Sequence, residues 1–101
     1  MFVHHVFFWL KNSGSEADKA KLLEGLREMT SIKEIRTLHI GEPASTNRDV
    51  IEKGYDVSWL LIFDNLEDQE IYQVHPVHKA FVEKCSALWA KVVVYDATDA
   101  Q

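Results

Sequence analysis

The run FVHHVFFWL at residues 2–10 decides the fold. It is aromatic and β-branched almost throughout and stops at the polar turn Lys11-Asn12-Ser13-Gly14, so it reads as a strand. Strand side chains alternate between faces. That alternation sends Val3, His5, Phe7 and Trp9 one way and Phe2, His4, Val6, Phe8 and Leu10 the other. Neither set suits water, so this strand needs cover on both sides.

Working outward, Ser15 to Met29 has the marks of a helix. Ser15 stands at the N-cap, Glu16 and Asp18 complement the dipole in the first turn, and Leu22, Leu23, Leu26 and Met29 form one apolar stripe. Ile35 to Ile40 alternates as a second strand and ends at Gly41-Glu42-Pro43, and the polar stretch from Pro43 to Gly54 reads as a surface loop. Tyr55 to Phe63 (YDVSWLLIF) is a third strand, with Tyr55, Val57, Trp59, Leu61 and Phe63 on one face. Asp64 or Asn65 then caps a short helix to about Val74, and Pro76 starts a longer one to about Ala90 with Val77, Phe81, Cys85, Leu88 and Trp89 on its inner stripe. VVVY at residues 92–95 is the last strand, and Asp96 onward reads as a polar tail.

The order β-α-β-β-α-β predicts an α+β, ferredoxin-like domain: a four-stranded antiparallel sheet with both helices on one face. The domain spans residues 1–96, followed by a tail at 97–101. Two helices cover only one face of a sheet, yet Val3, Phe7, Trp9, Val57, Trp59 or their opposite numbers would leave a large apolar patch in water. One chain has no second sheet to offer. The economical cover is a second copy in an isologous homodimer, with the two sheets enclosing a cavity.

Composition narrows the function classes. With 101 residues, 47% of them hydrophobic and 27% charged, the chain fits one ordinary globular domain. A net charge of −5 with both signs interspersed lacks the clustered basic face that nucleic acid requires. Cys85 is the only cysteine, so no internal disulfide forms and a reducing, cytoplasmic setting is the default expectation. The first apolar run is too short to span a membrane. No membrane partner and no cofactor is expected, and nothing resembles a glycine-rich phosphate loop or a nucleophile elbow.

The residues fit for chemistry gather in YQVHPVH, residues 72–78. Pro76 prevents a regular helix from running through, so the chain bends there and aims Tyr72, His75 and His78 toward one region. With His5 from the first strand, one phenol and up to three imidazoles would exchange protons near neutral pH. On this reading Tyr72, His78 and His5 are the catalytic candidates, and His5, Phe7, Trp9, Trp59, Tyr72, His75 and His78 line the cavity. The plainer alternative is that these histidines are hydrogen-bonded core or surface residues. His75, His78 and His5 also form a weak metal pattern, without a cysteine or acidic partner, and no metal is assigned.

HHVFFWLK at 4–11, GYDVSWLLIFDNLEDQEIY at 54–72 and HPVHKAFVEK at 75–84 together resemble the stress-responsive A/B barrel (Dabb) family, over nearly the whole chain. The resemblance implies a dimeric α+β barrel whose members mostly have no assigned function. The family includes a cofactor-free plant polyketide cyclase, the olivetolic acid cyclase, in which a Tyr and a His form an acid/base pair; the matching residues here are Tyr72 and His78, with His5 matching a cavity-lining His. Phe7, Trp9 and Trp59 are bulky where a long polyketide tail would need room. A small apolar or aromatic ligand is the leading expectation, with a cyclase-like lyase as the alternative and a cofactor-free monooxygenase, also known on such barrels, as a third.

Overall fold

The computed structural model describes residues 1–101. Its elements are β1 (Phe2–Leu10), α1 (Glu16–Glu28), β2 (Thr37–Gly41), β3 (Val57–Phe63), α2 (Leu66–Val74), α3 (Pro76–Cys85) and β4 (Trp89–Thr98), with short 3-10 turns at Met29–Ser31 and Ser86–Leu88. The strands form one antiparallel sheet in the order β2-β3-β1-β4. Both helical layers lie on one side, as the ferredoxin-like order requires.

Each boundary has a local cause. The Ser15 side chain accepts from the Asp18 N–H at 3.2 Å and starts α1, and Asn65 accepts from the Asp68 N–H at 2.8 Å to start α2. At the bend, His75 adopts an extended backbone and its Nδ1 accepts from the Val77 N–H at 3.1 Å, while Pro76 takes the first helical position of α3. Asp56, just before β3, ties down the far end of β1. Its carboxylate accepts from the Leu10 N–H at 2.8 Å and the Ser13 hydroxyl at 3.0 Å, where the β1–β4 register slips between Trp9 and Leu10.

Two expectations need correcting here. The second long helix does not reach Ala90: it ends at Cys85, and Trp89 already pairs with Leu10 as the first residue of β4. At its other end β4 runs past Tyr95 to Thr98, pairing Asp96 with His4, Ala97 with Val3 and Thr98 with Phe2. The polar composition of residues 96–98 conceals a strand because this edge is half solvated and needs no apolar residues there.

The core lies between sheet and helices. Phe2, Val6, Phe8 and Leu10 from β1 and Val57, Trp59, Leu61 and Phe63 from β3 pack against Leu22, Leu26, Met29, Tyr72, Phe81 and Cys85. Antiparallel register fixes which face each residue takes: Val6 pairs with Trp59 and His4 with Leu61, so both belong to the helix side. Val57 and Trp59, considered above as part of the uncovered face, are fully buried beneath the helices. The uncovered face consists of Val3, His5, Phe7 and Trp9 with Leu60 and Ile62 from β3, Thr37 and His39 from β2, and Lys91, Val93 and Tyr95 from β4. The molecule measures 35 × 34 × 18 Å, a thin slab with one layered side and one bare side.

Candidate functional site

A groove of about 380 Å³ opens on the helix side, between α3 and the exposed edge strand β4. Its apolar walls come from Phe81 and Val82 of α3 and from Val92 and Val94 of β4, the latter 45% exposed because no helix covers that edge. Into it come His4 from β1, Tyr72 from the end of α2, His78 from the first turn of α3, and Asp96 from β4. The proline bend brings Tyr72 and His78 together: their ring centroids are 4.7 Å apart and edge to face. The His4 ring meets Tyr72 at 5.8 Å, also edge to face.

His4 is 6% exposed and is held by a charge-assisted hydrogen bond, Nδ1 donating to Asp96 Oδ1 at 2.6 Å. An ionised carboxylate only accepts, so the Nδ1 proton is fixed on the Asp96 side and Nε2 is the nitrogen left to take or give a proton. His78 has a depressed pKa, first through burial and then through the proximity of His4; the Gln73 carbonyl opposes the shift and His75 adds slightly to it. Its imidazole is therefore neutral around pH 7, as a base requires.

The Tyr72 hydroxyl is held in the core. Only 1% of the residue is exposed, and its hydroxyl accepts from the Trp59 Nε1–H at 3.0 Å and turns its own proton toward the Met29 sulfur at 3.8 Å. Burial pushes its pKa up to about 12, with the Trp59 hydrogen bond pulling slightly the other way. The phenol is thus neutral and anchored in the core, and its ring packs edge to face with both imidazoles.

The structure divides the residues expected to line one cavity. Trp59, Tyr72 and His78 share the helix side, whereas His5, Phe7 and Trp9 stand on the bare face with the sheet between them. His5 therefore cannot join Tyr72 and His78 within a protomer, because the two-residue period of β1 turns it away. Its neighbour His4 takes that place. His5 instead stacks on Phe7 at 4.2 Å, and burial, then His39, then His4 lower its pKa. His75 caps α3 through Nδ1, so the set His5, His75 and His78 weighed as metal ligands is split by a sheet and by a cap. Asp96 is a groove residue absent from the candidates above; the alternation Val92, Val94, Asp96 continues one face of β4 and sets it opposite His4.

The stress responsive A/B barrel domain model matches residues 2–99. No curated protein matches the chain. A Dabb family protein of ferredoxin-like fold from Mesorhizobium loti superposes with a TM-score of 0.82 at 20% identity, covering 99% of this chain and 97% of the other. A dimeric ferredoxin-like protein of unknown function from Thermobifida fusca gives 0.76 at 18% identity, covering 95% and 88%. A hydroxynitrile lyase from Passiflora edulis gives 0.76 at 17% identity, covering 95% and 90%. At these identities the solved structures speak for the fold alone, whereas the domain match covers nearly every residue: the chain belongs to the stress-responsive A/B barrel family.

Proposed function

We propose that the chain works as a homodimer through its bare sheet face, and that the groove in each protomer is a cofactor-independent acid/base site for a small carbonyl compound or its addition product. The dimer rests on the face itself. Val3, Phe7, Trp9, Leu60, Ile62 and Val93 make an apolar sheet surface on a slab 35 × 34 Å across. That is room for the roughly 800 Å² per partner that a stable interface buries. The structural neighbour from Thermobifida fusca is itself dimeric.

One observation carries the acid/base reading: two imidazoles in different environments flank a single apolar groove, His4 tied to a carboxylate and His78 partly desolvated. A neutral imidazole can accept a proton, and one whose Nδ1 is hydrogen-bonded to a carboxylate keeps its other nitrogen for exchange. For an adduct that bears a hydroxyl on the former carbonyl carbon, His78 takes the hydroxyl proton, the carbon–carbon bond to the added nucleophile breaks, and the electron pair leaves with the departing carbon. His4, its imidazolium stabilised by Asp96, returns a proton to that leaving group. The products are an aldehyde or ketone and a neutral C–H acid, so atoms and charge balance without a cofactor. The Passiflora edulis neighbour, a hydroxynitrile lyase, supports carbonyl-addition chemistry on this fold. The groove walls at Phe81, Val92 and Val94 suit a short apolar or aromatic substituent.

The engagement of the Tyr72 hydroxyl with Trp59 favours a second reading, a binding pocket without turnover. Mandelonitrile and the benzaldehyde–acetone aldol adduct, with benzaldehyde release followed by absorbance, separate the two. Turnover that falls about 10²–10⁴-fold in His78→Asn and in His4→Asn supports the acid/base site. Benzaldehyde binding in the groove with no release above buffer supports the binding pocket, and neither binding nor release rejects both.

A further inference from the structure

The register of the sheet lines up two histidines on the bare face. His39 of β2 pairs with Leu60 of β3, Leu60 pairs on its other side with His5 of β1, and His5 pairs in turn with Tyr95 of β4. Residues paired across strands share a face, so His39, Leu60, His5 and Tyr95 form one row spanning all four strands. The flanking rows are uncharged: Thr37, Ile62, Val3 and Ala97 on one side, and Gly41, Ser58, Phe7 and Val93 on the other. Within a protomer His39 is exposed, and His5 is half-buried against the Phe7 ring at 4.2 Å.

No carboxylate stands in these rows. Besides the two histidines and Tyr95, the titratable groups of the face are Lys91, paired with Trp9, and at the rim Glu52 and Tyr55. Glu52 lies near Trp9 and already accepts from the Gly54 N–H at 2.8 Å. At the opposite end of the sheet Asp64 accepts from the Arg36 guanidinium at 2.6 Å and Asp99 from the Met1 ammonium at 2.8 Å. The rows thus offer an imidazolium no counter-charge, and Lys91 adds a like one. Even in one protomer, burial, then His39, then His4 across the sheet lower the pKa of His5.

We infer that His5 and His39 make the homodimer pH-sensitive, closed while both imidazoles are neutral and released when they take up protons. The inference rests on the dimer proposed above. An isologous interface holds every group twice, so closing the two faces takes four imidazoles out of water. Burying an unpaired charge costs far more than burying a neutral polar group, so imidazoliums oppose closure. Protons therefore bind the separated subunits more tightly than the dimer, and association weakens as pH falls below the ordinary histidine value of about 6.5. At pH 5.5 an ordinary imidazole is about tenfold more protonated than neutral. One such group per copy, forced neutral by closure, raises Kd by about 10²-fold over its value at pH 8.

The test is sedimentation from nanomolar to micromolar concentration at pH 8 and pH 5.5, with circular dichroism of the same samples. The expected result is a folded chain at both pH values, with Kd raised about 10²-fold or more at pH 5.5. In His5→Gln combined with His39→Gln the two Kd values should agree. If that variant does not dimerise at pH 8, the native chain decides by NMR. Its His5 and His39 imidazoles should titrate at lower pH above Kd than below it, whereas His75, at the α3 cap, should titrate alike at both concentrations. A native dimer with one Kd at both pH values, a double variant whose Kd still moves with pH, or imidazole titrations indifferent to concentration overturns the pH sensitivity and leaves the dimer standing. A monomer at pH 8 overturns the dimer and the pH sensitivity together. Loss of dichroism along with the dimer at pH 5.5 assigns the effect to unfolding and overturns the inference.

Discussion

Replacing Tyr72 by Phe tests whether the phenol belongs to the core or to the groove. The hydroxyl accepts from Trp59 Nε1 at 3.0 Å, and both residues are 1% exposed, so deleting it strands an indole N–H where water does not reach. A buried donor left without a partner costs about 1–3 kcal/mol. In a domain of this size that lowers Tm by on the order of 5–15 °C. Chemical denaturation at one fixed protein concentration gives the free energy without shifting any dimer equilibrium. A cycle with Trp59→Phe isolates the pair, with a coupling of about 1 kcal/mol expected. Absorbance titration of the native chain adds a check, since one of its three tyrosines should resist ionisation until about pH 12. If Tyr72→Phe were as stable as the parent and lost only turnover, the hydroxyl would be a catalytic donor and the core assignment would be wrong.

Burial of a neutral His78 sets a sign for pH. Its pKa is lowered on folding, so below the ordinary value of 6.5 the unfolded chain binds more protons and stability falls as pH drops. Thermal melts between pH 7.5 and 5 should show that loss, and His78→Asn should flatten the slope; an unchanged slope would mean that His78 is solvated. In α1, a Cβ on Gly25 would meet Cys85 Sγ at 2.7 Å and Phe81 at 3.0 Å. Gly25→Ala should therefore destabilise by about 1–2 kcal/mol, overpacking exceeding the gain in helix propensity, and Cys85→Ala should relieve it, both measured by urea denaturation. Leu60→Asp places a carboxylate on the bare face, outside the core, and should leave a folded single subunit in sedimentation at micromolar concentration where the parent sediments as a dimer. A parent that sediments as a monomer would refute the dimer.

Much of this was legible in the sequence. The two-sided apolar character of FVHHVFFWL, the capped helix at Ser15 and the proline bend at residue 76 follow from local chemistry, and together they fix the element order. What alternation leaves open is which of its two sets faces the helices, because both sets of β1 are apolar and each contains a histidine. That choice depends on register with β3 and β4, a non-local property, and it puts His4 rather than His5 beside the groove and Trp59 in the core rather than on the bare face. Asp96 was hidden for a related reason. On an edge strand half open to water, a carboxylate that lines a groove looks like the start of a tail. Tyr72 was found as a residue, but its hydroxyl's partner was not, since Trp59 is thirteen positions away on another element.

One sheet separates two sets of histidines, His4 and His78 in the groove, and His5 and His39 on the bare face. Imidazole resonances of all five histidines, followed by NMR as benzaldehyde is added, test it most directly. His4 and His78 are expected to shift together with one saturation curve while His5 and His39 stay still. Shifts at His5 that track those at His78 would contradict it.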